Sequence, residues 1–276
     1  MSEPWLILDV SALAYRALYA IGGLSHQGIE TGAVFGFFRS VMDLMELHQT
    51  RRVAFAFDRG YGKRLEIDKS YKSNRGKKEL TEEELDVHRS MRLQVYRLRT
   101  DYLPKIGFKN LLWRDDYEAD DVIAQVCLDL PKDQETVIVS GDHDLFQLLT
   151  DRVSMWLPGK NQPYTKEHFV KQWGIGPEQF ADVLAMAGCP GDGVIGIHGI
   201  GFKRAVAFLS GTLKPASKAY EAIVRDDKIW RMNLPLVRLP FPGIGSFELQ
   251  EDGELDWQPT LDRLGMKTLG RRVGMV

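Results

Sequence analysis

Three short apolar runs in this chain each lead into an acidic residue, and that recurrence constrains the fold more than any other feature. Leu6-Ile7-Leu8 runs into Asp9, Phe55-Ala56-Phe57 into Asp58, and Val137-Ile138-Val139 reaches Asp142 across Ser140 and Gly141. Short runs rich in β-branched and aromatic residues read as strands, here Trp5–Leu8, Val53–Phe57, Thr136–Val139 and Val153–Trp156. The segments Gly32–Met45 and Asp120–Leu130 between them carry helical apolar spacing. This alternation predicts an α/β fold, a mostly parallel sheet flanked by helices. In such a sheet the three acidic ends share one edge, where open α/β folds bind ligands. Residues far apart in sequence therefore converge.

A second acidic concentration lies between Asp115 and Asp121, where five of seven residues are acids. Asp116 is expected as the N-cap of a helix, with Glu118 and Asp121 on one face and Asp120 about 100° away. One helix end then serves two neighbouring cations. Acids at a helix N-terminus are ordinarily just solvated. With Asp9, Asp58, Asp142 and Asp144 on the same edge, however, the carboxylates would repel unless cations neutralise them. Oxygen-only ligands select hard Mg²⁺ or Mn²⁺, up to two, over Zn²⁺. A pair of such ions suits phosphodiester hydrolysis. His143, between two of the aspartates, is expected to face a loop or pack rather than act as a base.

A formal net charge of -2 does not advertise a nucleic-acid partner, so the local distribution has to decide. Between Arg59 and Lys78 there are eight basic residues (Arg59, Lys63, Arg64, Lys69, Lys72, Arg75, Lys77, Lys78) against Glu66 and Asp68. Arg64, Tyr71, Lys72 and Arg75 combine phosphate donors with an aromatic face for a base. Lys72 starts close enough to Asp58 to stabilise charge on a reacting phosphoryl group. Further on, Gly196, Gly199 and Gly201 precede Lys203 and Arg204 at a helix start, a backbone nest for one duplex phosphate. The spacing is not that of a dinucleotide site. No run approaches a membrane span, and Glu3 and Asp9 spoil a signal peptide. The two cysteines, Cys127 and Cys189, form neither a disulfide framework nor a zinc spacing, which fits the cytoplasm.

The motifs Leu8-Asp9-Val-Ser-Ala-Leu-Ala-Tyr15-Arg16, Thr31-Gly-Ala-Val-Phe-Gly36, Phe57-Asp58, Tyr71-Lys72-Ser-Asn-Arg75, Glu118-Ala-Asp120-Asp121, Ser140-Gly-Asp142-His-Asp144 and Gly199-Ile-Gly201-Phe-Lys203 occur in this order. Together they resemble the 5′-3′ exonuclease/flap endonuclease family over most of the chain. The resemblance implies a PIN-like core over residues 1–164, with a helical arch at about 63–103. The short helices and Gly turns from Thr165 onward predict a helical region over 165–276 that closes in a docking helix at Leu261–Val273, and the resemblance adds a helix-three-turn-helix at about 180–210. It assigns Asp9, Asp58, Glu118 and Asp120 to a first metal site and Asp121, Asp142, Asp144 and Asp192 to a second. Lys72 and Arg64 become phosphate-handling cations, Tyr71 a stacking aromatic, and the glycine hairpin a K⁺ site. One departure stands out: where the family reads Gly-Asp-x-x-Asp-Asn, this chain has Gly188-Cys189-Pro-Gly-Asp192-Gly193. A thiol is a poor Mg²⁺ ligand, so a higher divalent-cation requirement is expected. The implied activity is that of a stand-alone, monomeric nuclease on DNA with a 5′ flap or 5′ single-strand end, with RNA primers as further substrates. Its place would be replication and repair. The alternatives are a PIN-domain ribonuclease and a non-catalytic branched-DNA-binding protein.

Overall fold

The computed structural model describes residues 3–21, 23–74 and 81–273. Strands in chain order are β1 (Trp5–Asp9), the hairpin β2 (Ser25–His26) and β3 (Ile29–Glu30), β4 (Val53–Ala56), β5 (Leu111–Leu112), β6 (Thr136–Val139), β7 (Val153–Leu157), β8 (Gln162–Tyr164), β9 (Gly188–Cys189) and β10 (Val194–Ile195). Six of them form the central sheet, in the order β5-β4-β1-β6-β7-β8, parallel except for β8. β1, β4 and β6 are buried along their whole length. Burial on both faces explains why their sequences run continuously apolar instead of alternating.

The helices are α1 (Val10–Ile21), α2 (Gly32–His48), α3 (Gly62–Ile67), α4 (Glu82–Arg97), α5 (Leu103–Ile106), α6 (Ala119–Asp129), α7 (Lys166–Trp173), α8 (Phe180–Ala187), α9 (Phe202–Leu209), α10 (Lys218–Arg225), α11 (Asp227–Val237), α12 (Gln258–Arg263) and α13 (Lys267–Gly270). None is long and apolar enough to cross a membrane. One face of the sheet buries Leu6 and Leu8 against α1, α2 and Trp257 and Leu261. The other buries Ile7 and Ile138 against α6, α8 and Leu236. Phe180, Leu184 and Leu236 of the helical second region thus share a core with the sheet. α1 and α2 cross where Gly36 leaves no room for a side chain: a Cβ there would stand 2.6 Å from that of Ala17.

α4 begins where expected, with Thr81 and Glu84 forming a reciprocal capping box. A π-helical turn, Leu98–Tyr102, carries it into α5. Its buried Gln94 reaches the start of α2, accepting from the backbone N–H of Ala33 at 3.1 Å and Val34 at 3.3 Å. Thr31, the N-cap of α2, makes no side-chain cap of its own, so α4 satisfies these orphan donors instead. Two local expectations change. The N-cap of α6 is Glu118, not Asp116, which turns at φ +68°. The single helix expected over Leu261–Val273 is split into α12 and α13 at Gly265, whose φ of +66° ends the first.

Candidate active site

The parallel sheet does bring the acids to one edge. Asp9 closes β1; its Oδ1 accepts from Ala12 N at 3.0 Å and its Oδ2 from Ser140 Oγ at 2.9 Å. Asp58, just past β4, accepts from Ala119 N at 3.0 Å, which ties that strand end to the start of α6. Asp142 caps the 3-10 turn His143–Leu148 after β6 and accepts from Asp144 N at 2.9 Å. Burial and then the neighbouring Asp58 push the Asp9 carboxyl up to about 7. Asp120 is raised well above the usual carboxylate range by burial, Asp142, Asp9 and Asp58. Burial, Asp142 and Asp192 push Asp144 up to about 7. Asp58 and Asp142 thus both lie near enough to act on Asp9 and Asp120, and Asp142 and Asp192 on Asp144.

Lys72 and Tyr71 sit among these acids. Lys72 has a left-handed backbone at φ +54°, and its N–H donates to Asp192 O at 2.7 Å. Its ammonium pairs with Glu118 Oε1 and lies 3.6 Å from Asp192 Oδ1. Tyr71 OH donates to Glu118 Oε2 at 2.9 Å and lies 3.4 Å from Asp192 Oδ2. Among the described residues no three His, Cys, Asp or Glu side chains are already gathered as a ligand set for one ion. Glu118 is held by Tyr71, Lys72 and Arg64. The donor chemistry nevertheless fits a hard divalent cation: the groups are carboxylate oxygens, and burial together with neighbouring acids raises three of them above the usual carboxylate range, a shift that a bound cation would offset.

Several site residues fall elsewhere than the sequence suggested. Asp121 is fully buried and turned away from the cluster, because Arg64 grips both its oxygens, at 2.5 and 2.8 Å. Arg64 is accordingly no exposed phosphate donor; its Nε donates to Leu236 O at 2.9 Å. Tyr71 is not an open stacking face but is buried, edge-on to Tyr61 with ring centroids 5.7 Å apart. Arg75 lies outside the described residues. His143 stacks on Phe146 at 4.7 Å. Gly196 belongs to no phosphate nest: a Cβ there would meet Ala187 O at 2.3 Å, where the β9–β10 turn folds against α8. Gly199, Gly201 and Lys203 are exposed around the N-terminus of α9. Cys189 is half-buried, and its thiol is pushed up by burial and by Asp144, Asp192 and Asp142. It thus stands where the resemblance places a carboxylate. Gly193 is confined by its φ of +74° and by Ser70 O, 3.0 Å from where a Cβ would be. Ser140, whose hydroxyl donates to Asp9 Oδ2, is a site residue that the acidic pattern does not mark as one; the Ser-Gly-Asp turn after β6 is its one signal.

The chain matches the family model for the 5′-3′ exonuclease, N-terminal resolvase-like domain, over residues 4–174. The 5′-3′ exonuclease of Aquifex aeolicus is 32% identical over 225 residues, 80% of this chain and 74% of that protein. DNA polymerase I of Bacillus subtilis is 33% identical over 213 residues, 74% of this chain but 23% of that protein. The chain therefore spans about a quarter of the polymerase and about three quarters of the shorter relative. The T5 5′-exonuclease with bound zinc shares the fold with a TM-score of 0.72 at 23% identity, covering 86% of this chain and 90% of that one. The catalytic core of Rad2 in complex with DNA substrate does so with a TM-score of 0.60 at 15% identity, covering 100% and 93%.

Proposed function

Since the chain belongs to the 5′-3′ exonuclease family, we propose that it is a structure-specific 5′ nuclease that hydrolyses DNA phosphodiesters near single-strand/duplex junctions. The observation that carries this reading is the convergence of Asp9, Asp58, Asp120 and Asp142 at one sheet edge, with Lys72 beside Glu118. Asp9, Asp58, Glu118 and Asp120 would hold one Mg²⁺ or Mn²⁺, and Asp142, Asp144 and Asp192 a second. When bound, such ions supply Lewis acidity at the phosphoryl group. Lys72, beside Glu118, would stabilise the charge on a phosphoryl oxygen bound at this edge. Arg64 keeps Asp121, and with it the start of α6, in place.

Two surfaces support DNA as the substrate. A space of about 440 Å³ beside Asp58, lined by Tyr15, Tyr96, Arg92 and Arg99, offers ring faces and cations to a strand under α4. The N-terminus of α9, with Gly199, Gly201 and Lys203, suits a duplex phosphate, and we place K⁺ there as well. Acceptance of RNA 5′ ends, a monomeric state and a role in replication and repair extend the same reading. Two free cysteines suit the reducing cytoplasm.

The test is cleavage of a 5′-flap DNA by wild type and Asp120→Ala in Mg²⁺, Mn²⁺ or EDTA. Metal-dependent cutting at the junction, lost in the variant, is the expected result. Tight flap binding without cutting would replace the enzyme reading by a second one that Cys189 favours, a branched-DNA-binding protein.

A further inference from the structure

A groove between α1, α2 and the β7–β8 turn holds cations that the carboxylate site does not use. It encloses about 390 Å³, and its walls include Arg16, Arg39, Ser40, Trp156, Gly159 and Asn161. Arg16 and Arg39 are both exposed, and among the described residues neither has a hydrogen bond or an ion pair. The Arg16 guanidinium lies over Gly159, its Nη1 3.7 Å from where a Cβ would stand. The acid on the groove wall does not quench this charge: Asp43 pairs with Arg272 at 2.7 Å, and Arg272 also holds Glu46 at 3.0 Å. Lys160, in the same turn, adds a further positive charge.

The position of the groove matters as much as its charge. β7 is parallel to β6, and β6 to β1, so Pro158 and Gly159 leave the sheet at the edge that carries Asp9 and Asp142. α1 starts directly after Asp9 and carries Arg16 along the groove. The glycine hairpin before α9 belongs to the opposite face, packed with α8. Uncompensated arginines facing one groove repel each other unless an anion lies between them, and their planar forks suit phosphate oxygens.

We propose that this groove binds a phosphodiester of the DNA backbone, as a second anchor on the face of the sheet away from the α9 hairpin. The inference rests on the nuclease reading of the same edge. Contacts of this kind carry no base information, so the anchor adds affinity and orientation and not sequence preference.

The experiment measures binding of labelled 5′-flap DNA in EDTA over a salt series. It compares wild type, the Arg16→Gln/Arg39→Gln pair and the Arg16→Lys/Arg39→Lys pair. Each neutralised phosphate contributes about 0.9 to the slope of log affinity against log salt, so the glutamine pair, which loses one phosphodiester contact, should flatten that slope by about 0.9. The lysine pair should keep it. KM for flap cleavage should rise with Kd in the glutamine pair. Neither side chain has a partner to lose, so the melting curve should match wild type; if it does not, the single variants should each remove part of that change and raise Kd. An unchanged slope and KM in folded glutamine variants would overturn the groove while leaving the nuclease standing. Wild type that neither binds nor cuts the flap would remove the nuclease reading itself.

Discussion

Replacing Arg64 by glutamine should cost stability before it costs chemistry. Arg64 is 2% exposed and Asp121 0%. The guanidinium meets Asp121 at 2.5 and 2.8 Å, Leu236 O at 2.9 Å and Glu118 Oε2 at 3.3 Å. Asp121 also accepts from Glu118 N at 3.2 Å and Phe241 N at 2.8 Å. Truncating Arg64 strands a buried carboxylate without its counter-charge, at a cost of about 3–5 kcal/mol. That is a large part of the ~5–15 kcal/mol that holds an ordinary domain folded. At about 2–4 °C per kcal/mol for a chain of this length, the expected fall in Tm is roughly 10 °C. Asp121→Asn removes the stranded charge, so a double-mutant cycle should show a coupling of about 2 kcal/mol. The assay is a thermal melt of both single variants and the double variant in EDTA, run beside flap cleavage at a temperature where all are folded. A glutamine variant that melts with wild type yet fails to cut would refute the reasoning and return Arg64 to the phosphate.

The metal-free protein should lose stability as pH rises from about 4 to about 7. Asp9 and Asp144 are raised from 3.8 to about 7, so in that window the folded chain keeps protons that the unfolded chain has released, and unfolding becomes easier with pH. Melts in EDTA that stay flat or climb across the window would contradict the crowding argument, and added divalent cation should flatten the fall. Cys189→Asp should lower the divalent concentration that half-saturates cleavage, because the wild-type thiol is held protonated by burial and by its acidic neighbours; identical half-saturation sinks the idea. Lys72→Met should slow single-turnover cleavage by about 10²–10³ at unchanged flap affinity, and a loss confined to affinity would argue for a binding role instead.

The strand ends were legible because the central strands are buried on both faces and so announce themselves as unbroken apolar runs. The two-residue β5 and the β8 edge strand carry too few residues for a period to show. At the site, sequence located the acids but not their directions. Asp120 and Asp121 are adjacent and chemically identical, and what separates them is Arg64, a partner from α3 that no spacing rule connects to α6. Tyr71 and Lys72 read as an exposed basic strip, yet the left-handed turn at Lys72 folds both under the acids. Such turns depend on tertiary hydrogen bonds, here to Asp192 O, and leave no periodic trace.

The strand order also sets a schedule for making the molecule. β1 lies between β4 and β6, so a growing chain can pair one side of β1 once Val53–Ala56 emerges. The other side waits until Thr136–Val139 has left the ribosome, and for that interval an apolar strand offers a bare edge to any neighbour. The α1–α2 face waits longer still, since Trp257, Leu261 and Leu269 close over Phe38 and Phe108. Nascent chains stalled before that point would present an uncapped aromatic surface, and holdase chaperones should retain them in preference to chains that have passed it.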